Sequence, residues 1–532
     1  MNVLKNPSFF RPSSRPSSPA PLSVPRPDTN QPMERTVRPL TKLSSFSNFM
    51  RPSPSSSPAP QPATLVQDGS YLEMLSLKLS EAVTRALSQP TGPPTSTDLF
   101  GGKKPLPQGR GTALGTLISS ELKAAHEVPH LYRAVLRSLQ RPLSVLLTNL
   151  SGMLLPLLAS PSFLAIPTPS NQSPFPTPVQ AHALSVVNFC EELLQLFDQL
   201  GLGLDSDVRG DGLKSIRDGL VSLVSRVSNP LINAIRGEII PLIEALENPN
   251  TSTPAKLLPG PKSAVLYHPS IVALQTLMPA YNKALTACTM SSLSHATLAS
   301  LLISVLWKAS VALVHRVEAK PSPAQTPNSS PLLTAKKRRG SPTTTTPPVT
   351  PPPARFTIKL PPSRPPSPPA LVTYATTAAD AKALYELLVG LPRPSSGQPS
   401  TKLAREAVDE ALEGFKNMAE LLASVRNRTE SMDPIAIAKE LNRVTEEIPS
   451  LIALPVILHA FGGPGASSVA PILGISEDEY RKGCLSGFSR AEECALAICQ
   501  RALDVLQTDP FPNQAVIHWL EMELAEMQEY GP

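Results

Sequence analysis

The chain is poor in aromatic and charged residues. Aromatics make up only 5% and charged side chains 17% of its 532 residues, which argues against a chain that is globular along its whole length. Proline is abundant instead, with 63 residues, and it occurs mainly with serine and arginine in a few stretches. Apolar residues still amount to 41%, so the remaining segments can bury a sizeable core.

The sequence contains no Cys-x-x-Cys pair, which excludes the usual zinc-ribbon spacing and gives no sign of a disulfide framework. Most of the cysteines lie inside apolar helical patterns, a context that favours buried thiols in a reducing compartment. No secretory signal is predicted, because the first residues have no apolar core segment. The five cysteines are Cys190, Cys288, Cys484, Cys494 and Cys499.

No convincing alternation of apolar and polar residues predicts a β-strand, whereas apolar residues recur every three or four positions in most apolar segments. That spacing places them on one face of a helix. No strict repeat of 30–45 residues is present, so a regular solenoid is not predicted. We therefore predict an all-α protein, built as irregular multi-helix bundles that long Pro/Ser-rich disordered segments interrupt.

Composition divides the chain into five parts. Residues 1–66 form a basic Pro/Ser/Arg-rich tail, and residues 319–369 form a Pro-rich linker with a basic run. Both are predicted to be disordered, because they cannot bury enough apolar surface to offset the entropy of ordering. Residues 67–111 hold a short helix and a linker before a helical block at 112–318. A second block, 370–530, is expected either to pack on the first or to form a separate domain.

Capping residues predict where several helices begin. A side-chain oxygen just before a helix accepts hydrogen bonds from the free backbone N–H groups of the first turn. Asn229 followed by Pro230 predicts one such start. Gly201 predicts the end of the helix that begins after Thr177. The other predicted caps are Thr177 with Gln180, Asp433 before Pro434, Ser476 with Glu479, and Ser489 with Glu492.

Residues 126–130 match H-E-x-x-H, the zinc-binding motif of metalloproteases. The motif requires an unbroken helix, because only spacing by four positions points both imidazoles at one metal. Pro129 breaks that helix, and proline also disfavours the α conformation at Val128. The extended motif needs a glycine and a histidine where this chain has Arg133 and Leu136. We interpret the motif as a chance match and predict no catalytic residue, metal ligand or cofactor.

Two long segments, 142–190 and 284–307, contain no charged side chain. A transmembrane helix is apolar on all sides over about 20 residues. Prolines and polar residues interrupt the first segment, and the second keeps a polar side. The pattern therefore favours core helices of a soluble bundle, and membrane insertion is not expected.

The strongest functional signals lie in the segments predicted to be disordered. Lys336, Lys337, Arg338 and Arg339 form a compact basic run, which fits a nuclear-import address or a contact with an acidic surface. Phosphorylation of the adjacent Ser341 would add negative charge and weaken this run. Frequent Ser-Pro and Thr-Pro steps predict regulation by proline-directed kinases. The candidate phosphosites are Ser14, Ser18, Ser53, Ser341, Thr346, Thr350 and Ser367.

These features predict a non-enzymatic helical scaffold or regulatory adaptor of the cytoplasm, the nucleus or both. Its expected partners are proteins, including proline-directed kinases and an import receptor. One alternative is a trafficking or tethering subunit that contacts anionic membranes through its basic N-terminal arm, in which Asp28 is the first acidic residue. A nuclear regulatory factor is another. Nucleic acid is not an expected partner, because no helix combines clustered Arg/Lys with base-reading side chains.

Overall fold

A computed structural model gives the fold of the chain. It describes residues 63–90, 104–168, 175–204, 213–248, 265–316, 373–397, 399–426, 433–461, 468–510 and 512–529. Met74–Pro532 form one compact unit and Met1–Glu73 another, of which only residues 63–73 are described. The predicted disorder of 1–66 and 319–369 therefore concerns residues almost entirely outside the described ranges.

Fifteen α-helices account for most of the described residues. The first seven are α1 Ala63–Leu87, α2 Arg110–Ala125, α3 Pro129–Leu158, α4 Pro178–Leu200, α5 Leu213–Glu244, α6 Pro269–Cys288 and α7 His295–Val314. The remaining eight are α8 Thr377–Val389, α9 Pro399–Arg426, α10 Pro434–Thr445, α11 Ser450–Phe461, α12 Val469–Leu473, α13 Glu477–Cys484, α14 Phe488–Gln507 and α15 Gln514–Glu529.

Other regular structure in the described ranges is short. Two-residue strands, β1 Val265–Leu266 and β2 Thr373–Tyr374, pair in parallel, with Val265 opposite Thr373. Short 3-10 helices are Pro161–Leu164, Ala245–Glu247 and Ser292–Ser294. The prediction of an all-α protein is thus confirmed.

Helices α5 and α7 pack against each other at the centre of the compact unit. Around them, α5 also contacts α3, α4 and α6, while α7 contacts α9 and α11. The apolar residues at three- and four-residue spacing on α7, such as Leu298, Leu302 and Val305, are almost fully buried. The helices before and after residues 317–372 thus share one core through α7.

Polar bonds reinforce this junction. The indole N–H of Trp307 on α7 donates to the carbonyl of Leu485, 2.8 Å away. The guanidinium of Arg481 on α13 donates to both carboxylate oxygens of Glu247, at 2.7 and 2.9 Å. Both bonds come from one guanidinium nitrogen, Nη1, and they connect α13 to the 3-10 helix that follows α5.

Local capping explains several helix boundaries. Thr177 and Gln180 form a reciprocal capping box at α4, which ends at Gly201 with φ of 65°. Ser476 and Glu479 form the same arrangement at α13. Asp433 precedes α10 as predicted, although its side chain makes no capping hydrogen bond. These boundaries were accessible from sequence because each depends on neighbouring residues only.

The predicted helix start at Asn229–Pro230 is wrong. Helix α5 runs without a break from Leu213 to Glu244 and contains both Pro230 and Pro241. Proline removes one helical hydrogen bond, but packing on both sides of Pro230 favours a continuous helix. Val227 and Ile232, on either side of the proline, are fully buried.

Two helical segments in the described ranges are long and apolar enough to cross a membrane by length and composition alone, Pro129–Leu158 and Ser292–Val314. In the most apolar 18-residue stretch of each helical segment, 61% of Ser292–Val314 is buried inside the protein, but only 33% of Pro129–Leu158. The second therefore has the burial of a core helix, whereas α3 buries one face and exposes the other.

A buried ion pair fixes the C-terminal end of α7 to the start of α8. The guanidinium of Arg316 lies 2.5 Å from the carboxylate of Asp380, and their side chains are only 6% and 0% exposed. The other carboxylate oxygen of Asp380 accepts the backbone N–H of His268 at 3.2 Å. Asp380 thereby joins α6, α7 and α8 at one point.

Replacing Asp380 with asparagine should lower the free energy of unfolding by about 3–5 kcal/mol, because the Arg316 charge would stay buried without its partner. Urea unfolding of the full chain, followed by far-UV circular dichroism, measures the change. Glu440→Gln is the matched control, since Glu440 pairs with Arg443 in an exposed position and its loss should change little. Equal effects of the two substitutions would contradict the role given to Asp380.

Candidate functional site

The site residues predicted from sequence lie outside the described residues. This applies to the basic run Lys336, Lys337, Arg338 and Arg339, and to the adjacent Ser341. It applies equally to the other candidate phosphosites, Ser14, Ser18, Ser53, Thr346, Thr350 and Ser367. Their roles stay predictions.

The H-E-x-x-H residues do not share one helix, because His126 follows α2 and His130 lies in α3. Helix α2 ends at Ala125 and α3 begins at Pro129, with Val128 in an extended conformation between them. His126 caps the first helix and makes an edge-on contact with Tyr132, their ring centres 6.1 Å apart. Within the described ranges, no group of three or more His, Cys, Asp or Glu side chains is placed to hold a metal ion.

A groove with glutamates along its edges lies where α7, α9, α11, α14 and α15 meet. It consists of two depressions with volumes of about 420 and 600 Å³. The depressions have Glu446, Ile448, Pro449 and Glu492 in common. We call the two together the acidic groove.

The floor of the acidic groove is apolar. Trp307 and Phe488 lie against each other with ring centres 4.6 Å apart and planes inclined by 52°. Phe415 and Met418 of α9 also line the first depression, but they are almost fully buried and support the floor from beneath. Leu496 lines the second depression and is 45% exposed, so the groove presents a large apolar side chain to solvent.

The rim of the groove is negatively charged. Among the rim glutamates, only Glu493 forms an ion pair within the described part of the chain. Its partner is Arg490, 2.7 Å away. The described lining of the two depressions contains no lysine, arginine or histidine. The exposed rim glutamates are Glu410, Glu446, Glu447, Glu492, Glu493 and Glu526. Neighbouring charges of one sign add to a local potential that attracts cations.

Gly414 allows α9 to approach the loop that carries two of these glutamates. A Cβ atom on Gly414 would lie 2.7 Å from the backbone carbonyl oxygen of Glu447, which is closer than such atoms pack. The missing side chain therefore brings Phe415 on the floor and Glu447 on the rim together.

Ser489 does not cap α14, contrary to the prediction. The helix begins one residue earlier, at Phe488, with Gly487 as its N-cap residue and no side-chain cap. Phe488 packs against Trp307, so this tertiary contact draws Phe488 into the first turn. Ser489 is exposed and lines the groove instead.

Glu523 lies beneath the second depression in a buried hydrogen-bond network. The hydroxyl of Ser450 donates to one of its carboxylate oxygens at 2.8 Å, and the hydroxyl of Thr445 lies 3.2 Å from the other. The indole N–H of Trp519 donates to the same Thr445 hydroxyl at 3.1 Å. Burial raises the pKa of the Glu523 carboxyl, and the nearby charge of Glu526 raises it further.

No protein-family model, curated protein or solved structure matches this chain. The chemistry of the site therefore has to come from its own residues. An apolar floor can bury aliphatic anchors, and a cation-free carboxylate rim can bind Lys or Arg side chains.

Sequence reasoning missed the acidic groove because its residues come from several helices and from the loop before α11. Two local signals were present, the adjacent pairs Glu446-Glu447 and Glu492-Glu493. Each pair by itself is an ordinary solvated surface feature. Only the tertiary fold brings the pairs to the same two depressions, together with Pro449.

Gly414→Ala should lower the free energy of unfolding by about 1–3 kcal/mol, because the new methyl group forces α9 away from the Glu447 carbonyl. Gly237→Ala is the control, since Gly237 lies within α5 and a Cβ there meets nothing within 4 Å. That change should raise stability by about 0.5–1 kcal/mol. If urea unfolding showed that both substitutions change the free energy of unfolding in the same direction, the close contact at Gly414 would be contradicted.

Glu523→Gln should make stability less dependent on pH. In the folded protein the pKa of Glu523 lies above its ordinary value of 4.5. The folded state therefore binds this proton more tightly than the unfolded chain does. As pH rises from 4.5 through the raised folded-state pKa, wild type loses stability that the glutamine variant keeps.

Urea unfolding of the two proteins at several pH values between about 4 and 7 measures this difference. The stability of Glu523→Gln relative to wild type should increase with pH across that range. Glu526→Gln should show a weaker form of the same trend, because it removes a neighbouring charge that raises the pKa. A constant offset between wild type and Glu523→Gln would contradict the raised pKa.

Proposed function

We propose that this protein is a non-enzymatic helical adaptor whose acidic groove binds a basic, leucine-anchored segment of a partner protein. The observation that carries the proposal is a rim of glutamates, with no cation in its described lining, beside the accessible apolar side chains of Phe488 and Leu496. Aliphatic side chains of the partner would pack on the floor. Its lysines and arginines would meet the rim.

The charge of the groove selects among ligand classes. Carboxylates on the rim repel phosphates, nucleic acids and acidic peptides, and they attract cationic side chains. The elongated form of two adjoining depressions suits a helix or extended peptide better than a small compact ligand. An amphipathic helix that places apolar residues at three- and four-residue spacing in a groove is a common mode of peptide recognition.

The two parts of the groove would contribute differently to binding. Phe488 and Leu496, the accessible apolar side chains of the groove, would contribute affinity through burial of their apolar surface. The exposed glutamates would mainly increase the association rate and select basic partners, and their effect would fall as salt screens them.

A fluorescein-labelled amphipathic peptide of leucine and lysine tests the proposal by fluorescence anisotropy with the full-length protein. Replacing Glu446, Glu447 and Glu492 with glutamine should weaken peptide binding about tenfold or more at low salt. Each lost charge pair should cost about 0.5–1 kcal/mol of binding free energy. The defect should shrink as ionic strength rises. Leu496→Gln should weaken binding at all salt concentrations, because the loss is apolar.

The matched control replaces three exposed glutamates on or beside helices that do not line the groove, Glu127, Glu238 and Glu386, with glutamine. This variant has the same net charge as the rim variant and should bind the peptide almost as wild type does. A counterpart peptide with glutamate in place of lysine should not bind. Equal losses in the rim and control variants, or no binding of the basic peptide to wild type, would overturn the proposal.

A further inference from the structure

Helix α3 has an exposed face that carries positive charge at one end and apolar side chains at the other. Arg133, Arg137 and Arg141 are exposed and follow one another at four-residue spacing, so they form one stripe on the helix. Farther along the same face, Val145 is 50% exposed and Leu155 is 60% exposed. We call these five residues the outer face of α3.

The positive charge of this stripe is not neutralised locally. Helix α3 contains no aspartate or glutamate. Within the described part of the chain, none of the three arginines forms an ion pair or hydrogen bond through its side chain. Three unpaired guanidinium groups within about 12 Å, at about 1.5 Å of rise per residue, create a positive potential that favours a negatively charged partner.

The apolar half of the outer face needs a separate explanation. In the most apolar 18-residue stretch of α3, only 33% is buried inside the protein. The corresponding value for the segment Ser292–Val314, which contains α7, is 61%. Leu164, in the short helix that follows, is also 51% exposed. Most apolar side chains of α3 are buried, so the exposed Val145 and Leu155 gain their significance from the unpaired arginines on the same face.

The inner face of α3 excludes a membrane-spanning role for this helix in the folded protein. Leu146 and Leu150 are completely buried, and α3 packs on α2, α4 and α5. Gly219 of α5 lies so close that a Cβ there would collide with the side chain of Leu147. A helix held this closely can lie on a membrane surface, but it cannot cross the bilayer without leaving the bundle.

We propose that the outer face of α3 binds the surface of an anionic membrane. The arginine stripe would contact lipid headgroups, and Val145, Leu155 and Leu164 would insert at the boundary between headgroups and acyl chains. Cations combined with exposed leucines are the features by which helices bind anionic lipid interfaces. This surface is separate from the acidic groove, so its lipid binding would not depend on the proposed adaptor function.

Sedimentation of the full-length protein with vesicles tests the inference. The vesicles contain phosphatidylcholine alone or phosphatidylcholine with phosphatidylserine. Wild type should bind the anionic vesicles only. Replacing Arg133, Arg137 and Arg141 with glutamine should reduce the partitioning onto anionic vesicles about 100-fold. Each cationic side chain near the surface strengthens binding about fivefold, and the three effects multiply.

The matched control replaces Arg85, Arg443 and Arg490, exposed arginines on other helices, with glutamine. Its net charge equals that of the outer-face variant, and both retain the basic residues 1–66. The control should lose far less binding, because charges beyond about 10 Å from the lipid are screened. Far-UV circular dichroism should show all variants folded. Equal losses in the two variants, or full binding by the outer-face variant, would overturn the inference.

Leu155→Gln separates a lipid surface from an acidic protein partner. The substitution leaves every charge in place and removes one apolar contact, so it should weaken vesicle binding several-fold. Binding to soluble polyglutamate, which offers charge without an apolar phase, should be unaffected by this change. Unchanged vesicle binding by Leu155→Gln would instead assign the face to an acidic partner and overturn the membrane inference.

Discussion

Burial of α7 is the interaction on which the rest of the structure depends. Leu301, Leu306 and Leu313 complete a helix that is apolar around most of its circumference. Such a helix is unfavourable when exposed to water, and α5 covers one side of it while α9 and α11 cover another. The hydrophobic effect therefore brings together helices that precede and follow the long segment between Arg316 and Thr373.

The acidic groove is a consequence of the same packing. Trp307 of α7 is held by its hydrogen bond to the Leu485 carbonyl and by the ring of Phe488. Those contacts fix the start of α14 over α7, and Gly414 allows α9 to approach on the other side. The glutamates at the surrounding helix ends then border one apolar floor. The outer face of α3 lies on a different helix and carries the opposite charge.

Features that depend on neighbouring residues were predictable from sequence. The capping boxes at Thr177 and Ser476 and the break before Pro129 follow from the hydrogen bonding and steric limits of one helical turn. Pro230 and Ser489 show where this reasoning failed. Pro230 lies inside α5 because burial on both sides compensates for the lost hydrogen bond, and Phe488 enters α14 because it packs on Trp307.

The amino-acid sequence by itself determined the helical class, the apolar stripes and the positions of several helix ends, because these depend on residue spacing and local bonds. It also placed charged residues along the chain, including the adjacent pairs Glu446-Glu447 and Glu492-Glu493. Only the tertiary structure decided that these pairs border one groove and that the arginines of α3 have no partner among the described residues. The physical reason is that burial and electrostatic potential depend on distances between helices, and packing sets those distances.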